Sequence, residues 1–70
     1  MMQNYSLILK ECRKYAGLTQ KEVAEKAHLS VNSIFLYEHG KSVPTVDKFE
    51  AIINACGVKL ALRQKRATPQ

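Results

Sequence analysis

Two helix start signals lie unusually close together in this chain of 70 residues, and their spacing is the strongest constraint on its fold. Thr19 precedes Glu22 by three residues, which is the capping-box pattern and predicts a helix that begins at Gln20. Ser30 is a second N-cap residue a short distance further on. Residues 27–29 must therefore contain the break between the helices, and so short a break allows only a sharp turn.

The apolar residues of this stretch agree with two helices that pack against each other. The apolar face predicted for the first helix consists of Val23, Ala24 and Ala27. The second helix is predicted from Val31 to about His39, with Ile34 and Tyr37 facing the first. Gly40 supplies the left-handed residue that commonly ends a helix. The sequence therefore predicts a helix, a tight turn and a second helix within residues 18–40.

One further helix is predicted on each side of this pair. The helix before it covers roughly residues 5–16, ends at Gly17 and has an apolar stripe made of Tyr5, Ile8, Leu9, Cys12 and Ala16. The helix after it begins behind the N-cap residue Thr45, ends at Gly57 and has an apolar stripe made of Val46, Phe49, Ile52, Ile53 and Cys56. Four helices account for most of residues 5–57.

Residues 58–63 follow a different pattern. Val58, Leu60 and Leu62 alternate with other residues, which is the period of a half-buried strand. Because no other part of the chain is predicted as a strand, the edge of this one would be satisfied by antiparallel pairing with a second copy. Residue propensity favours a fifth helix instead. We predict a domain over residues 1–57, a dimerisation strand over 58–63 and a flexible basic tail over 64–70.

Charge and composition narrow the classes of partner. The formal net charge is +5, and residues 57–70 hold four of the eleven basic residues and none of the six acidic ones. This basic segment is either a solvated terminus or an arm that contacts phosphate or an acidic protein.

The sequence has no apolar run of membrane-spanning length and no signal-peptide pattern, so we expect a cytoplasmic protein without a membrane partner.

Metal and cofactor chemistry is not indicated. The two cysteines, Cys12 and Cys56, lie far apart at apolar helix positions, and His28 and His39 do not complete a zinc-binding spacing with them. We expect both thiols to be buried, reduced core groups. The sequence also lacks a phosphate-binding glycine loop and a nucleophile, base and acid on convergent elements, so an enzyme is the least favoured class and no cofactor is expected.

The helix pair resembles the helix-turn-helix of the lambda-repressor and Cro-like (XRE) DNA-binding domains. The residues that carry the resemblance are Leu18, Gln20, Val23, Ala24, Ser30, Ile34, Tyr37, Glu38 and Gly40. Arg13 and the segment 44–58 also fit the order of the family, so the resemblance covers roughly residues 5–60. One departure is His28, which stands where the family usually has glycine and would need a positive φ.

The resemblance implies an all-α, lambda-repressor-like DNA-binding domain of four helices, or five if residues 58–63 are helical. It also implies that Arg13 pairs with Glu38, which would tie the first helix to the end of the recognition helix. The C-terminal sequence is similar to that of HipB-type antitoxins, which finish in a strand that pairs across a dimer.

The resemblance further implies which residues contact DNA. Gln20 and Ser30 would contact phosphates, whereas Asn32 is the best candidate for reading a base, because an amide can form two hydrogen bonds with adenine. Lys41 and Lys48 are candidates for phosphate contacts that are independent of sequence. The residues expected to project from the recognition helix are Val31, Asn32, Ser33 and Leu36.

Three functions remain open on the sequence alone. The favoured one is a dimeric transcriptional repressor that binds double-stranded DNA at a two-fold symmetric operator, with the antitoxin of a toxin-antitoxin operon as a narrower version. The second is a protein-interaction module that keeps the fold without reading DNA, because Phe35 and Leu36 are large apolar residues on a helix that is commonly polar in the family. The third, an enzyme, is disfavoured.

Overall fold

The computed structural model describes residues 4–59, with side chains from Tyr5 onward. This part of the chain consists of four helices, which are α1 (Asn4–Ala16), α2 (Gln20–Ala27), α3 (Val31–Glu38) and α4 (Val46–Ala55). The prediction of an all-α domain is confirmed, and each predicted helix is present within one or two residues of its expected bounds.

The N-termini of α2, α3 and α4 are capped as predicted. Thr19, Ser30 and Thr45 have extended backbones, and their hydroxyl oxygens accept hydrogen bonds from the third residue of the helix that follows. At α2 the capping box is complete, because the Thr19 N–H also donates to Glu22 Oε1 at 2.8 Å. These bonds satisfy backbone N–H groups that have no partner within the helix.

All four helices end in the same way. One residue turns left-handed, and its N–H and that of the next residue donate back to carbonyls of the last helical turn, with N···O distances between 2.9 and 3.3 Å. The left-handed residues are Gly17, His28, Gly40 and Gly57. His28 is the one that carries a side chain, at φ 60° and ψ 42°. The positive φ expected at His28 is therefore confirmed.

The core lies where the four helices meet, and each helix contributes one side chain that is almost fully enclosed. Leu9 of α1, Val23 of α2, Ile34 of α3 and Ile52 of α4 are each at most 1% exposed. The remaining buried apolar residues are Ala24, Ala27, Tyr37, Ile53 and Cys56. Because α1 and α4 both contribute to this cluster, they hold the α2–α3 pair in one orientation.

The predicted apolar stripes of α1 and α4 are wider than the surfaces that are actually covered. Ile8 is 46% exposed and Val46 is 52% exposed, so these two members of the predicted stripes lie outside the core. Both lie at the edge of their stripe, where a helical period alone cannot tell whether a neighbouring element reaches far enough. Leu9, one residue after Ile8, takes the central position instead.

The cysteines are free thiols. Cys56 is buried, as expected, whereas Cys12 is only half-buried and packs against the margin of the core. Burial raises the pKa of the Cys56 thiol, with a smaller contribution from the nearby Cys12. Cys56 is therefore neutral near pH 7 and acts as a small apolar core residue.

The strand predicted for residues 58–63 lies mostly outside the described residues. Val58 and Lys59 follow α4 without regular secondary structure, and Val58 is 43% exposed. Leu60, Leu62 and the tail 64–70 are not among the residues that the structure describes. The pairing of this segment with a second copy stays a prediction.

Candidate nucleic-acid interface

The turn between α2 and α3 fixes the direction of α3 relative to α2. The His28 N–H donates to the Glu25 carbonyl at 3.3 Å, and the Leu29 N–H donates to the Ala24 carbonyl at 2.9 Å. Leu29 then packs against the core cluster. Because the turn is held by these hydrogen bonds and by the packing of Leu29, the turn and the packing of Ile34 and Tyr37 together determine the direction of α3.

A buried carboxylate locks the C-terminal end of α3 to α1 and α2. Glu38 Oε2 accepts from Arg13 Nε at 2.7 Å, and Glu38 Oε1 accepts from Arg13 Nη2 at 3.0 Å. This is the two-pronged geometry in which an arginine binds a carboxylate most strongly. The Arg13 Nη1 group also donates to the Leu18 carbonyl at 3.0 Å. The ion pair expected between Arg13 and Glu38 is therefore present.

Burial and hydrogen bonding act in opposite directions on Glu38. Its side chain is 2% exposed, and the Arg13 side chain is 16% exposed. Burial by itself raises the pKa of a carboxyl group, but the hydrogen bonds from Arg13 and Gln20 and the positive charges of Arg13 and Lys10 together outweigh burial, so that the pKa of Glu38 lies below its ordinary value. The hydrogen bond to Glu38 likewise raises the pKa of Arg13. Both groups are charged in the folded protein.

Gln20, predicted to contact a phosphate, is engaged within the protein. Its Nε2 donates to Glu38 Oε1 at 3.0 Å, and its side chain is half-buried. Because an ionised carboxylate only accepts hydrogen bonds, the amide nitrogen must face Glu38, which determines the orientation of the amide. The second N–H of the same amide group stays available as a donor. Sequence reasoning gave no indication of this link to Glu38.

Ser30 and Ser33 form a small hydroxyl pair at the start of α3. The Ser30 oxygen accepts from the Ser33 N–H at 3.1 Å, and the Ser30 hydroxyl donates to the Ser33 oxygen at 2.9 Å. Ser30 thus caps α3 as predicted. Its hydroxyl proton is already used, whereas the hydroxyl proton of Ser33 can be donated to another molecule.

The outward surface of α3 exposes two of the four residues predicted to project from it. Val31 is 48% exposed, Asn32 is also exposed, and Ser33 and Leu36 are half-buried. Lys41, directly after Gly40, and Lys48, in the first turn of α4, are exposed. The base contacts predicted for the α3 residues and the phosphate contacts predicted for the lysines stay predictions.

An aromatic pair at the end of α3 was missed by the sequence reasoning. The Phe35 and His39 ring centroids are 4.0 Å apart with an interplanar angle of 32°. His39 Nδ1 also lies 2.9 Å from the Phe35 carbonyl oxygen. The spacing of four residues was the available signal, since side chains at that spacing lie one above the other on a helix. The pair restricts the orientation of Phe35, which is 40% exposed.

A shallow pocket of about 260 Å³ lies apart from the α3 surface. Its lining residues are Tyr5, Val43, Pro44, Thr45, Val46 and Phe49. The lining is almost entirely apolar and holds no carboxylate, amine or imidazole. Within residues 4–59, no group of three or more His, Cys, Asp or Glu side chains is arranged to bind a metal ion. None of the described helices is both long enough and apolar enough to span a bilayer.

A helix-turn-helix with an exposed second helix, held from behind by two further helices, defines a DNA-binding class of protein. The sequence profile of a family described as helix-turn-helix matches residues 9–63, which is more than half of the chain. The chain belongs to this family, the XRE family of lambda-repressor and Cro-like domains, whose members are DNA-binding transcription regulators. No curated protein and no solved structure matches the chain.

Proposed function

We propose that this protein is a transcriptional repressor that binds a two-fold symmetric operator as a homodimer. The observation that carries the proposal is the exposed N-terminal half of α3, where Val31 and Asn32 face outward from a helix held by the Arg13–Glu38 pair. A helix presented in this way fits the major groove, where each base pair shows a distinct pattern of hydrogen-bonding groups.

The surroundings of α3 supply groups that suit the DNA backbone. Lys41 and Lys48 lie just beyond the recognition helix and are exposed, and each can neutralise one phosphate. The free N–H of Gln20 supports a phosphate contact at the start of α2. Such contacts position the protein on the duplex, whereas Asn32 would supply selectivity by pairing with adenine.

Repression would follow from occupancy. A dimer whose two α3 helices enter successive major grooves covers two half-sites about 34 Å apart and blocks access of RNA polymerase to the same DNA. In this proposal Val58, Leu60 and Leu62 form the contact between the two copies. The chain ending at Gly57 keeps every residue of the described core, so sedimentation of the full and shortened chains tests the contact. A shortened chain that remains a dimer would exclude it.

The DNA-binding proposal is tested by fluorescence anisotropy of a labelled duplex from upstream of the protein's own gene, titrated at two salt concentrations. A scrambled duplex of equal composition is the control. Selective binding that weakens steeply with salt is expected, because phosphate contacts release counterions. Equal binding to the two duplexes, or none, would contradict the proposal.

Two variants separate base contacts from phosphate contacts. Asn32→Ala should reduce selectivity by roughly 5- to 150-fold, the discrimination typical of a good bidentate base contact. Lys48→Ala should weaken binding to both duplexes alike and lower the salt slope by about one. Lys14→Ala, an exposed lysine on α1, is the matched control and should change neither. An Asn32 variant with unchanged selectivity would exclude Asn32 as the base-reading residue.

The narrower proposal is an antitoxin that represses its own operon and binds a toxin. It is supported by the basic segment 57–70 and by the similarity of the C-terminal sequence to HipB-type antitoxins. Co-expression with the product of the adjacent gene in the operon tests it. A stable complex that tightens operator binding is expected, and two proteins that purify separately would exclude this version.

The second candidate is a protein-interaction module, favoured by the exposed ring of Phe35 on α3. A large apolar side chain on an exposed helix is typical of a surface that binds another protein. The anisotropy titration distinguishes the repressor from the interaction module, because an interaction module should bind no duplex selectively.

A further inference from the structure

The outward surface of α3 is uncharged. Val31, Asn32 and Phe35 are its exposed residues, and Ser33 and Leu36 are half-buried beside them. The one charged residue of α3 is Glu38, whose carboxylate is buried and bound by Arg13. Any readout by α3 therefore depends on one amide, one hydroxyl and several apolar groups.

These groups form a compact arrangement because of helical geometry. Phe35 and Leu36 follow Asn32 by three and four residues, so they lie on the same face of α3 and flank its amide. Val31 precedes Phe35 by four residues and therefore lies beside it, on the side of Phe35 that is away from Asn32. The Phe35 ring is stacked on His39 at 4.0 Å, which restricts it to few orientations while leaving it 40% exposed.

The chemistry of this surface matches one kind of base pair. Arginine and lysine, which recognise guanine, and aspartate and glutamate, which accept from cytosine, are absent from the exposed part of α3. An asparagine amide suits adenine, and apolar side chains suit the C5 methyl group of thymine. Both preferred partners belong to the same A·T pair.

We propose that α3 selects A·T-rich half-sites, with Asn32 bound to adenine and with Val31, Phe35 and Leu36 packed on thymine methyl groups. This inference rests on the proposed DNA-binding function and specifies the sequence class that it reads. Phe35 becomes a specificity-determining residue, and its stacking on His39 positions the ring for contact with a methyl group.

The first step of the test is selection of bound duplexes from a random pool by the full chain. The pool is expected to converge on a half-site whose central positions are A·T pairs. Each thymine of the selected site is then replaced singly by deoxyuridine, which removes the methyl group and keeps every hydrogen-bonding group. Burial of one methyl group corresponds to about a four-fold change in affinity, so each contacted position should weaken binding by about that factor. Deoxyuridine placed outside the site is the control and should have no effect.

A variant connects the effect to the side chain. Phe35→Ala should bind more weakly and should become insensitive to deoxyuridine at one thymine, while its sensitivity at the other positions remains. Leu7→Ala, an exposed apolar residue on α1, is the matched control and should keep the full pattern. Circular dichroism establishes that both variants are folded.

The outcomes are distinguishable. A selected site that is rich in G·C pairs, or one whose affinity is unchanged by every deoxyuridine substitution, would overturn this inference and leave the proposed function in place. A pool that does not converge would overturn the proposed function and this inference with it.

Discussion

Neutralisation of Glu38 should destabilise the fold more than neutralisation of any exposed carboxylate. The Glu38 side chain is 2% exposed and accepts three hydrogen bonds, two from Arg13 and one from Gln20. Glu38→Ala would remove all three and leave the guanidinium of Arg13, whose side chain is 16% exposed, without its counter-charge. Breaking a buried pair in this way costs about 3–5 kcal/mol. The free energy of unfolding of a domain this size is about 4–10 kcal/mol, so Glu38→Ala would remove a large share of it. Glu38→Gln is a milder change and therefore the better substitution.

Glu38→Gln keeps the shape of the side chain and replaces one acceptor oxygen by an NH₂ group that faces a donor. At least one hydrogen bond between charged groups is lost, worth about 1.5–3 kcal/mol, and the charge of Arg13 is left unpaired. We expect the free energy of unfolding to fall by about 2–3 kcal/mol at pH 7. Urea denaturation followed by circular dichroism at 222 nm measures it. Glu25→Gln, at an exposed position on α2, is the matched control and should cost less than about 0.5 kcal/mol.

The pH dependence gives an independent test. Because the pKa of Glu38 is lowered in the folded state, its stabilising contribution is fully present above the unfolded pKa of about 4.3 and is lost as the pH falls through the folded pKa. The difference in stability between the wild type and Glu38→Gln should therefore be constant from pH 7 to about pH 5 and should shrink at lower pH. A Glu38→Gln variant as stable as Glu25→Gln at pH 7 would refute the reasoning.

Three further substitutions test local features of the fold by the same denaturation assay. Thr19→Ala removes the capping-box acceptor at α2 and should lower the free energy of unfolding by about 1 kcal/mol, and no loss would mean that water replaces the cap. His28→Gly relieves a side chain from φ 60° and should raise stability by about 0.5–1 kcal/mol; a decrease would show that the His28 side chain stabilises the turn. Ile34→Val at a position 1% exposed should cost about 0.5–1.5 kcal/mol, and a negligible cost would contradict tight packing between α2 and α3.

Much of the fold was predictable because it depends on chemistry between neighbours in sequence. The capping box at Thr19 and Glu22, the cap at Ser30 and the left-handed turn at His28 each involve residues a few positions apart. Such interactions form in the same way whatever the rest of the chain does, so a residue pattern is enough to locate them. They are also the interactions that define a helix-turn-helix, which is why the family resemblance was visible and the family match agrees with it.

The candidate interface was predictable in part. The exposure of Asn32 and the presence of an Arg13–Glu38 pair agree with what the resemblance implied. The engagement of Gln20 by Glu38, across 18 residues of sequence, had no local signal. The stacking of Phe35 on His39 had a local signal, because the two residues are four positions apart. Only the structure gives the ring geometry and the exposed fraction of Phe35.

Residue patterns are enough to locate where the helices begin and end and which of their faces are apolar, because capping and helical periodicity are local. How much of each face is covered depends on the packing of the helices, which buries Leu9 and leaves Ile8 beside it 46% exposed. The same packing places the Glu38 carboxylate in the interior, where it accepts hydrogen bonds from Arg13 of α1 and Gln20 of α2. Coverage and burial depend on the positions of elements that are distant in the chain, and those positions exist only after the helices have packed.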